Sequence, residues 1–429
     1  MRYGPLDPAL FVENRRRFRE LLPPQSLAIF NANDILPTNA DGTLPLKQNT
    51  DLFYLTGVDQ EETILLICPD AALERHREIL FLRETSEHIL VWEGYKLTKE
   101  QGREVSGIKT VMWLDQLPAV LAALMNEAEY VYLNSNEHIR SVVMVETRDA
   151  RFIRDLQARY PLHQYRRAAR LLHQLRAIKS PEEIRLMRRA CEITGNAFRR
   201  VLGFVQPGVW EFEIEAEILH EFVRSGSRGP AYPSIIGSGD SATILHYISN
   251  DRQCQDGDVL LLDFGAEYAN YAADMTRSIP VNGTFSPRQR QVYEAVLRVF
   301  RFAQSRLVPG HNIEAYHKEV GTAMEQELIK LDLLNESDVK NQDPDAPLYK
   351  KYFPHGTSHY LGLDVHDVGY KYRTFEPGMV YTNEPGIYIR EEKLGIRLEN
   401  DFLLTATGNE DLMADIPLEL ADIERLMRK

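Results

Sequence analysis

Residues 259–277 read VLLLDFGAEYANYAADMTR, and the two aspartates in this stretch, Asp263 and Asp274, decide how the second half of the chain is interpreted. Asp263 ends the apolar run 259–262, where a carboxylate is costly to desolvate unless it is paired or binds a metal. Residues 265–270 can turn the chain, so an antiparallel ribbon would bring both carboxylates together. On this pair alone the alternative stays open, because an aspartate at a strand end is more often a cap or turn residue.

Three of the twelve histidines lie within one short segment, at His355, His359 and His366. The spacing of the first two is that of a helical zinc site. However, the glutamate of an H-E-x-x-H motif is missing, and Gly356 and Gly362 disfavour a helix. The segment is therefore predicted to form strands and turns.

Two further carboxylates, Glu384 and Glu399, follow on predicted strands. With a period of two, Arg397, Glu399 and Asp401 share one strand face. Taken alone, such a face is more often solvated and holds an Arg–Glu pair. Four carboxylates from separate strands, together with the histidines, favour instead an oxygen-rich metal site, which suits hard cations such as Mn²⁺.

Composition and charge exclude several classes of protein. The 429 residues carry 50 basic and 63 acidic side chains, a net charge of −13, so nucleic acid or an anionic membrane would be repelled on average. Three cysteines without a C-x-x-C pair argue against a disulfide framework or a structural zinc site. The sequence shows neither a secretion signal nor an apolar run long enough to span a bilayer. We therefore expect a cytoplasmic protein that binds neither nucleic acid nor membrane.

The order of predicted elements divides the chain at 172/173. Residues 1–172 alternate short apolar runs with amphipathic stretches, which predicts an α/β domain. Its predicted strands are 27–30, 51–55, 63–67, 79–82, 89–92 and 130–133, and its predicted helices are 11–22, 117–125 and 146–160. Residues 173–429 predict an α+β domain that opens at the capping sequence Ser180-Pro181-Glu182-Glu183. Its predicted helices are 182–201, 211–225, 287–307 and 313–330, its predicted strands 259–264, 271–281, 379–389 and 396–404, with a surface loop at 335–347.

These motifs resemble the proline-specific metallopeptidases of the creatinase and aminopeptidase P, or pita-bread, family. Five metal ligands of that family match in order: Asp263, Asp274, His359 in the run His-Gly-x-x-His-x-x-Gly, Glu384 in Glu-Pro-Gly, and Glu399 after Ile-Arg-Leu. The stretches QNTDLFYLTG at 48–57 and KSPEEI at 179–184 resemble the family's amino-domain motif and domain entry. The resemblance spans nearly the whole chain. It implies a creatinase-like α/β amino-terminal domain and an α+β pita-bread catalytic domain.

The resemblance also implies a dinuclear centre. Asp274 and Glu399 would bridge two divalent cations, Asp263 would complete one metal, and His359 and Glu384 would complete the other. Mn²⁺ is the expected metal, with Co²⁺ or Zn²⁺ as alternatives. A hydroxide that bridges the metals would attack the scissile carbonyl before a proline.

The catalytic residues that the resemblance implies are His246, His355, His366, Glu384 and Arg397. Glu384 would accept and pass on the proton of the nucleophile. His246 and His366 would stabilise the oxyanion, His355 would line the site, and Arg397 would orient Glu399. Asn383 and Asn400 depart from the family's usual residues beside the ligands, which puts metal affinity in question.

The implied activity is release of the amino-terminal residue from Xaa-Pro-Yaa peptides. Three alternatives stay open: a prolidase, which accepts only Xaa-Pro dipeptides; a metal-free creatinase; and a non-catalytic peptide-binding pseudo-peptidase, although such proteins typically lose ligands. The resemblance alone implies a homo-oligomer, dimer or tetramer, whose amino-terminal domain assembles the subunits and covers the active site. Trp92 matches a tryptophan that some relatives lend to a neighbouring subunit, or it is a packed strand aromatic.

Overall fold

The structure, a computed structural model, describes residues 3–428, which divide into two units. The first unit is Gly4–Arg176, and the second starts at Ala177 and includes Tyr3. The expected boundary at 172/173 falls inside the helix Ala169–Arg176, whose buried residues Leu172 and Leu175 pack within the first unit. The chain therefore leaves the first unit at the end of this helix.

A six-stranded mixed sheet forms the centre of the first unit. Its strands are β1 (Ser26–Asn31), β2 (Ile64–Ile67), β3 (Glu78–Leu82), β4 (Thr110–Trp113), β5 (Tyr130–Leu133) and β6 (Gln164–Arg167). They lie in the order β4-β3-β2-β1-β5-β6, with β2 antiparallel to both neighbours and the other pairs parallel. The central strands β1 and β2 are buried along their whole length, which explains why they read as continuous apolar runs.

Helices cover this sheet on both faces. The helices of this unit are α1 (Pro8–Glu20), α2 (Thr50–Thr56), α3 (Glu87–Glu93), α4 (Lys99–Ser106), α5 (Leu117–Glu127), α6 (Arg148–Arg159) and α7 (Ala169–Arg176), of which α3 buries no residue. Ile29 of β1 belongs to a buried cluster with residues of α5 and α6, whereas Phe30 faces the other way and contacts Phe18 of α1, with 5.4 Å between ring centroids. Successive residues of β1 thus bury their side chains on opposite faces.

Two predicted strands of this unit are helices. Residues 51–55 lie in α2 and residues 89–92 in α3. The side chain of Asn49 accepts the backbone N–H groups of Asp51 and Leu52, and Gly57 ends α2 in the left-handed conformation with φ 66°. A short apolar run does not distinguish a buried strand from a buried helix, and these caps decide between them.

The second unit combines six helices with ten short strands among the described residues. The helices are α8 (Pro181–Phe204), α9 (Glu211–Arg224), α10 (Pro287–Arg306), α11 (Ile313–Lys330), α12 (Glu336–Lys340) and α13 (Leu420–Met427). The strands are β7 (Ile235–Ser238), β8 (Val259–Asp263), β9 (Glu267–Tyr268), β10 (Tyr271–Ala272), β11 (Thr276–Pro280), β12 (Val380–Asn383), β13 (Gly386–Ile389), β14 (Leu394–Arg397), β15 (Asn400–Leu404) and β16 (Asn409–Asp411). The stretch 335–347 is not entirely loop, since Asn335 caps the short helix α12.

The strands of the second unit form small antiparallel sheets. Two have three strands, in the orders β11-β8-β7 and β12-β15-β16, and two are ribbons, β9–β10 and β13–β14. Three predicted strands, 271–281, 379–389 and 396–404, are each divided in two. The breaks fall at Asp274, Glu384 and Glu399, so each of these predicted ligands lies between two strands. None of the helices in residues 3–428 has the length and apolar composition of a membrane span.

A buried carboxyl of the first unit makes a pH-dependent contribution to stability. Asp149, in the first turn of α6, accepts a hydrogen bond from Nδ2 of Asn31 at 2.8 Å, while Oδ1 of Asn31 has no protein partner. Burial raises the pKa of Asp149 to about 6. Because the folded pKa exceeds the unfolded one, ionisation destabilises the fold above pH 6, and this cost disappears as the pH falls toward 4.

We expect Asp149→Asn to raise the free energy of unfolding by about 2 kcal/mol at pH 7.5 and to leave it unchanged near pH 4. The amide removes the buried charge and can donate to Oδ1 of Asn31. Urea unfolding at both pH values measures the difference. Asp155→Asn, which changes an exposed carboxylate on the same helix, is the control and should have little effect. A lower stability of Asp149→Asn at pH 7.5 would contradict this account.

Candidate metal centre

The pairing of β8 with β11 brings two of the predicted ligands together. Thr276 lies opposite Asp263 in the register, and Asp274 precedes Thr276 by two residues. The hydroxyl of Tyr232 is 2.6 Å from Oδ1 of Asp263 and 2.6 Å from Oδ1 of Asp274. Both carboxylates are buried. The ribbon expected from the sequence is present, and neither aspartate is a solvated turn residue.

The remaining three predicted ligands converge on the same place. Nε2 of His359 is 3.4 Å from Oδ2 of Asp274 and 3.7 Å from Oε1 of Glu384. Asp274, His359 and Glu399 each offer a ligand atom, and these atoms lie within 4.8 Å of one another. The structure therefore brings all five candidate ligands together. Asp263 joins the group because it and Asp274 contact the same hydroxyl of Tyr232.

His359 has the tautomer that a metal ligand requires. Its Nδ1 lies 2.9 Å from the carbonyl oxygen of Tyr360, which can only accept, so Nδ1 carries the proton. Nε2 faces the carboxylates, so it is the nitrogen that would bind a metal after losing the proton that these carboxylates favour. The backbone N–H of His359 donates to the hydroxyl of Thr382 at 3.2 Å, which fixes the residue further.

Burial and mutual repulsion dominate the electrostatics of the site. Burial, reinforced by the other carboxylates, raises the pKa of Glu399 well above its usual range, and burial raises that of Asp263 to about 6 although Arg397 opposes it. Burial disfavours the charged form of His359, but Asp274 and Glu384 outweigh it and raise its pKa to about 9. Ionising all four carboxyl groups would therefore leave more negative charge than the positive side chains of His359 and Arg397 offset. Together with the mixed oxygen and imidazole donors, this excess fits divalent cations.

Arg397 contacts Asp263 directly and Glu399 through Thr276. Its Nη2 forms an ion pair with Oδ2 of Asp263, and its Nε donates to Oγ1 of Thr276 at 2.9 Å. Thr276 in turn donates to Oε2 of Glu399 at 2.7 Å. Arg397 thus reaches Glu399 through the hydroxyl of Thr276, and its role in orienting Glu399 stays a prediction.

The predicted acidic strand face is buried rather than solvated. Arg397, Glu399 and Asp401 all lie below the surface. Oδ2 of Asp401 accepts the backbone N–H of Asp274 at 3.1 Å and the thiol of Cys191 at 3.4 Å. Asp401 thus holds the backbone at a predicted ligand.

The other predicted histidines occupy different positions. His355 lies with Nε2 2.8 Å from the hydroxyl of Tyr388 and Nδ1 3.4 Å from Oε2 of Glu384. The ring of His366 packs edge-on against that of His359, with 4.3 Å between centroids. His246 is exposed, and among the contacts of residues 3–428 none joins it to the five ligands. His246 is therefore not a packed core histidine, and its catalytic role stays a prediction.

Three polar residues that support the ligands were not predicted: Tyr232, Thr276 and Tyr388. Tyr388 accepts a hydrogen bond from Nη1 of Arg397 at 2.8 Å and contacts His355. No spacing in the sequence points to Tyr232, which lies outside the strands. Thr276 and Tyr388 lie on predicted strands, and an alternation argument extended from Asp274 and Glu384 would have found them.

The two asparagines that depart from the family pattern are both buried and hydrogen-bonded. Asn383 donates to the carbonyl of Phe300 at 3.0 Å. Asn400 accepts from Nη2 of Arg277 at 2.8 Å and donates to Oδ2 of Asp411 at 2.8 Å. Their amides therefore serve the packing around the site, and neither displaces a predicted ligand.

The chain belongs to metallopeptidase family M24, whose model matches residues 185–406, and the model for the aminopeptidase P N-terminal domain matches residues 11–132. The chain is similar to the Xaa-Pro aminopeptidases of Escherichia coli, at 36% identity over 97% of each chain, and Haemophilus influenzae, at 37% over 97% of this chain and 96% of the relative. Among solved structures, it resembles the zinc-substituted E. coli aminopeptidase P in complex with product, with a TM-score of 0.88 at 35% identity, covering 99% of this chain and 100% of that one.

These comparisons confirm the family and the fold implied by the sequence motifs. The first unit is an aminopeptidase P amino-terminal domain, and the second is a pita-bread catalytic domain. The relatives carry the name Xaa-Pro aminopeptidase, which does not favour the prolidase alternative. The cluster of Asp274, His359 and Glu399 lies inside the part of the chain that matches the metallopeptidase family.

We expect Glu399→Gln to stabilise the metal-free protein and to weaken its response to metal. The amide can still accept the hydroxyl of Thr276 and replaces a carboxyl that the folded site makes costly to ionise, so the free energy of unfolding at pH 8 should rise by about 1–2 kcal/mol. The increase in melting temperature that Mn²⁺ gives the wild type should be largely lost. Calorimetry of metal-stripped and Mn²⁺-loaded protein measures both effects.

Glu391→Gln, which changes an exposed glutamate of the same unit, is the matched control and should alter neither quantity. If stripped Glu399→Gln is no more stable than stripped wild type and still responds fully to Mn²⁺, Glu399 is not part of the metal centre.

Proposed function

We propose that this protein is a dinuclear metallo-aminopeptidase that releases the amino-terminal residue from peptides with proline in second position. The observation that carries the proposal is the group of four carboxylates and one imidazole, in which Asp263, Asp274 and Glu399 are buried and the other two are partly exposed. It is supported by a chain that is 36–37% identical, over nearly its whole length, to Xaa-Pro aminopeptidases. A complete ligand set argues against a pseudo-peptidase and a metal-free creatinase.

Five residues would hold two divalent cations: Asp263, Asp274, His359, Glu384 and Glu399. Their mainly oxygen donors favour Mn²⁺, with Co²⁺ or Zn²⁺ as alternatives. When bound, such a pair supplies Lewis-acid polarisation of the scissile carbonyl and lowers the pKa of a water.

Glu384 is the residue we assign to proton transfer. Burial would raise its pKa, but His355 and His359 outweigh this and lower it to about 2, so the carboxylate is ionised at neutral pH. Oε2 lies 3.4 Å from Nδ1 of His355, on the side away from His359. The carboxylate of Glu384 can therefore accept a proton within the site, next to the imidazole of His355.

Four further residues complete the proposed site. His366, exposed beside His359, and His246 would donate to the oxygen on which negative charge develops. His355 lines the site, where Tyr388 fixes its ring. Arg397 holds Asp263 and Tyr388 in place from a fully buried position.

We expect metal-stripped protein to be inactive on an Xaa-Pro-Yaa tripeptide and to release the first amino acid when Mn²⁺ is added. Asp274→Asn should reduce this activity by several orders of magnitude, because it removes a ligand and unbalances the charge of the pair. Asp240→Asn, at an exposed carboxylate of the same unit, is the control. Cleavage of Xaa-Pro dipeptides without cleavage of tripeptides would establish a prolidase, and no cleavage of either would favour a binding protein.

We also propose that the protein is cytoplasmic and assembles as a homo-oligomer through its first unit. All three cysteines are free and buried, as suits a reducing compartment. The first unit exposes apolar side chains to an unusual degree: Val91 is 78% exposed, Trp92 76% and Met144 88%. Trp92 lies on α3 and is not a packed strand aromatic, so it is available to a second copy.

Replacing Val91 and Trp92 together by Glu should shift the protein toward monomers while its circular dichroism stays unchanged. Light scattering coupled to size exclusion measures the mass. Leu162→Glu is the control, because Leu162 is 93% exposed on the same unit but lies outside α3. A wild type that is monomeric at micromolar concentration would rule out the assembly.

A further inference from the structure

A fully buried ion pair lies next to the segment that carries the histidines. Nζ of Lys179 is 3.1 Å from Oδ2 of Asp367, and each side chain is only 1% exposed. Lys179 precedes α8, and Asp367 directly follows His366. Replacing a buried ion pair by apolar groups is often neutral for stability, so stability alone does not account for this pair.

Both partners are held by their backbones. The N–H of Lys179 donates to the carbonyl of Gly378 at 2.8 Å, and the N–H of Asp367 donates to the carbonyl of Tyr360 at 2.8 Å. Tyr360 is the residue whose carbonyl also accepts from Nδ1 of His359. The pair is therefore anchored one residue from a predicted metal ligand.

The ion pair packs directly against the turn that leads to His366. A Cβ atom at Gly362 would lie 2.2 Å from Oδ2 of Asp367 and 3.0 Å from Cε of Lys179. The carbonyl of Gly362 accepts the N–H of Ala272 at 2.8 Å, which fastens the turn to β10. The segment from Tyr360 to Asp367 is thus fixed at its two ends and near its middle.

His366 is exposed, whereas the adjacent Asp367 is buried. The ring of His366 lies edge-on against that of His359, so its placement depends on the backbone that carries it. Asp367, one residue further on, anchors that backbone through its buried carboxylate and its N–H.

We propose that Lys179 and Asp367 are positioning residues that hold the imidazole of His366 beside the metal centre, where it donates to the substrate. This inference rests on the proposed aminopeptidase function, in which His366 acts during the reaction. Neither residue of the pair touches substrate or metal. Their contribution is to the geometry of one donor, and a displacement of about 1 Å at such a group can cost roughly 100-fold in rate.

The test neutralises both partners at once with Lys179→Met and Asp367→Asn. Removing a single partner would leave an unpaired buried charge and endanger the fold, whereas the near-isosteric neutral pair retains the packing. We expect kcat on an Xaa-Pro-Yaa tripeptide to fall about 10- to 100-fold, with KM and bound Mn²⁺ unchanged within about twofold. The matched control neutralises a more exposed pair of the same unit, with Arg290→Met and Glu424→Gln, and should retain kcat.

Repeating the Lys179→Met and Asp367→Asn double substitution in the His366→Ala background distinguishes an effect through His366 from a general effect on the fold. If the pair acts through His366, neutralising it there should lower kcat by less than about twofold further. An equal loss in both backgrounds, or an unchanged kcat in the native background, would overturn the proposal.

A second readout does not depend on activity. In metal-free protein with ¹³C-labelled histidine, the Cε1–H resonance of His366, assigned by its loss in His366→Ala, should move toward the free-histidine position when the pair is neutralised. An unmoved resonance would overturn the proposal. A shifted resonance in a protein without any peptidase activity would support the positioning and contradict only the proposed function.

Discussion

Four carboxylates, three of them buried, lie together in the catalytic domain, and the free-energy cost of that arrangement governs the structure around them. Asp263, Asp274, Glu384 and Glu399 repel one another where little water can screen them. His359 and Arg397 offset part of this cost. Divalent cations would offset the remainder, so metal binding and the stability of this domain are coupled.

Residues that bind no metal in this proposal fix the positions of those that do. Thr276 donates to Glu399, Tyr232 bridges Asp263 and Asp274, and Asp401 accepts the backbone N–H of Asp274. The backbone must also approach itself closely, since a Cβ atom at Gly265 would lie 1.7 Å from the carbonyl oxygen of Ala273. Only glycine permits this approach in the turn between the two aspartates.

From the residues themselves, the parts of this site that depend on neighbouring residues could be predicted, whereas contacts between distant segments could not. His359, Glu384 and Glu399 were assigned as ligands only because of the family resemblance. Asp263 and Asp274 are joined by a local ribbon, so the apolar run and the turn sequence indicate their proximity. Arg397 contacts Asp263 across 134 residues of chain. Strand alternation carries no information about such a partner. The helix α2 was predicted as a strand for another reason. Its apolar run fits a strand or a helix, and only the hydrogen bonds of the Asn49 cap show that it is a helix.

The three clustered histidines show how one short segment can hold the same side chain in different ways. His359 is fixed by the carbonyl of Tyr360, and His355 is fixed by the hydroxyl of Tyr388, so each is oriented through its own ring nitrogen. A histidine that must present its ring to a substrate cannot be enclosed in this way without losing access. The backbone next to it can be anchored instead, as at the buried carboxylate of Asp367. His366 is thus left accessible to substrate, while the buried Asp367 next to it holds the backbone that orients the imidazole.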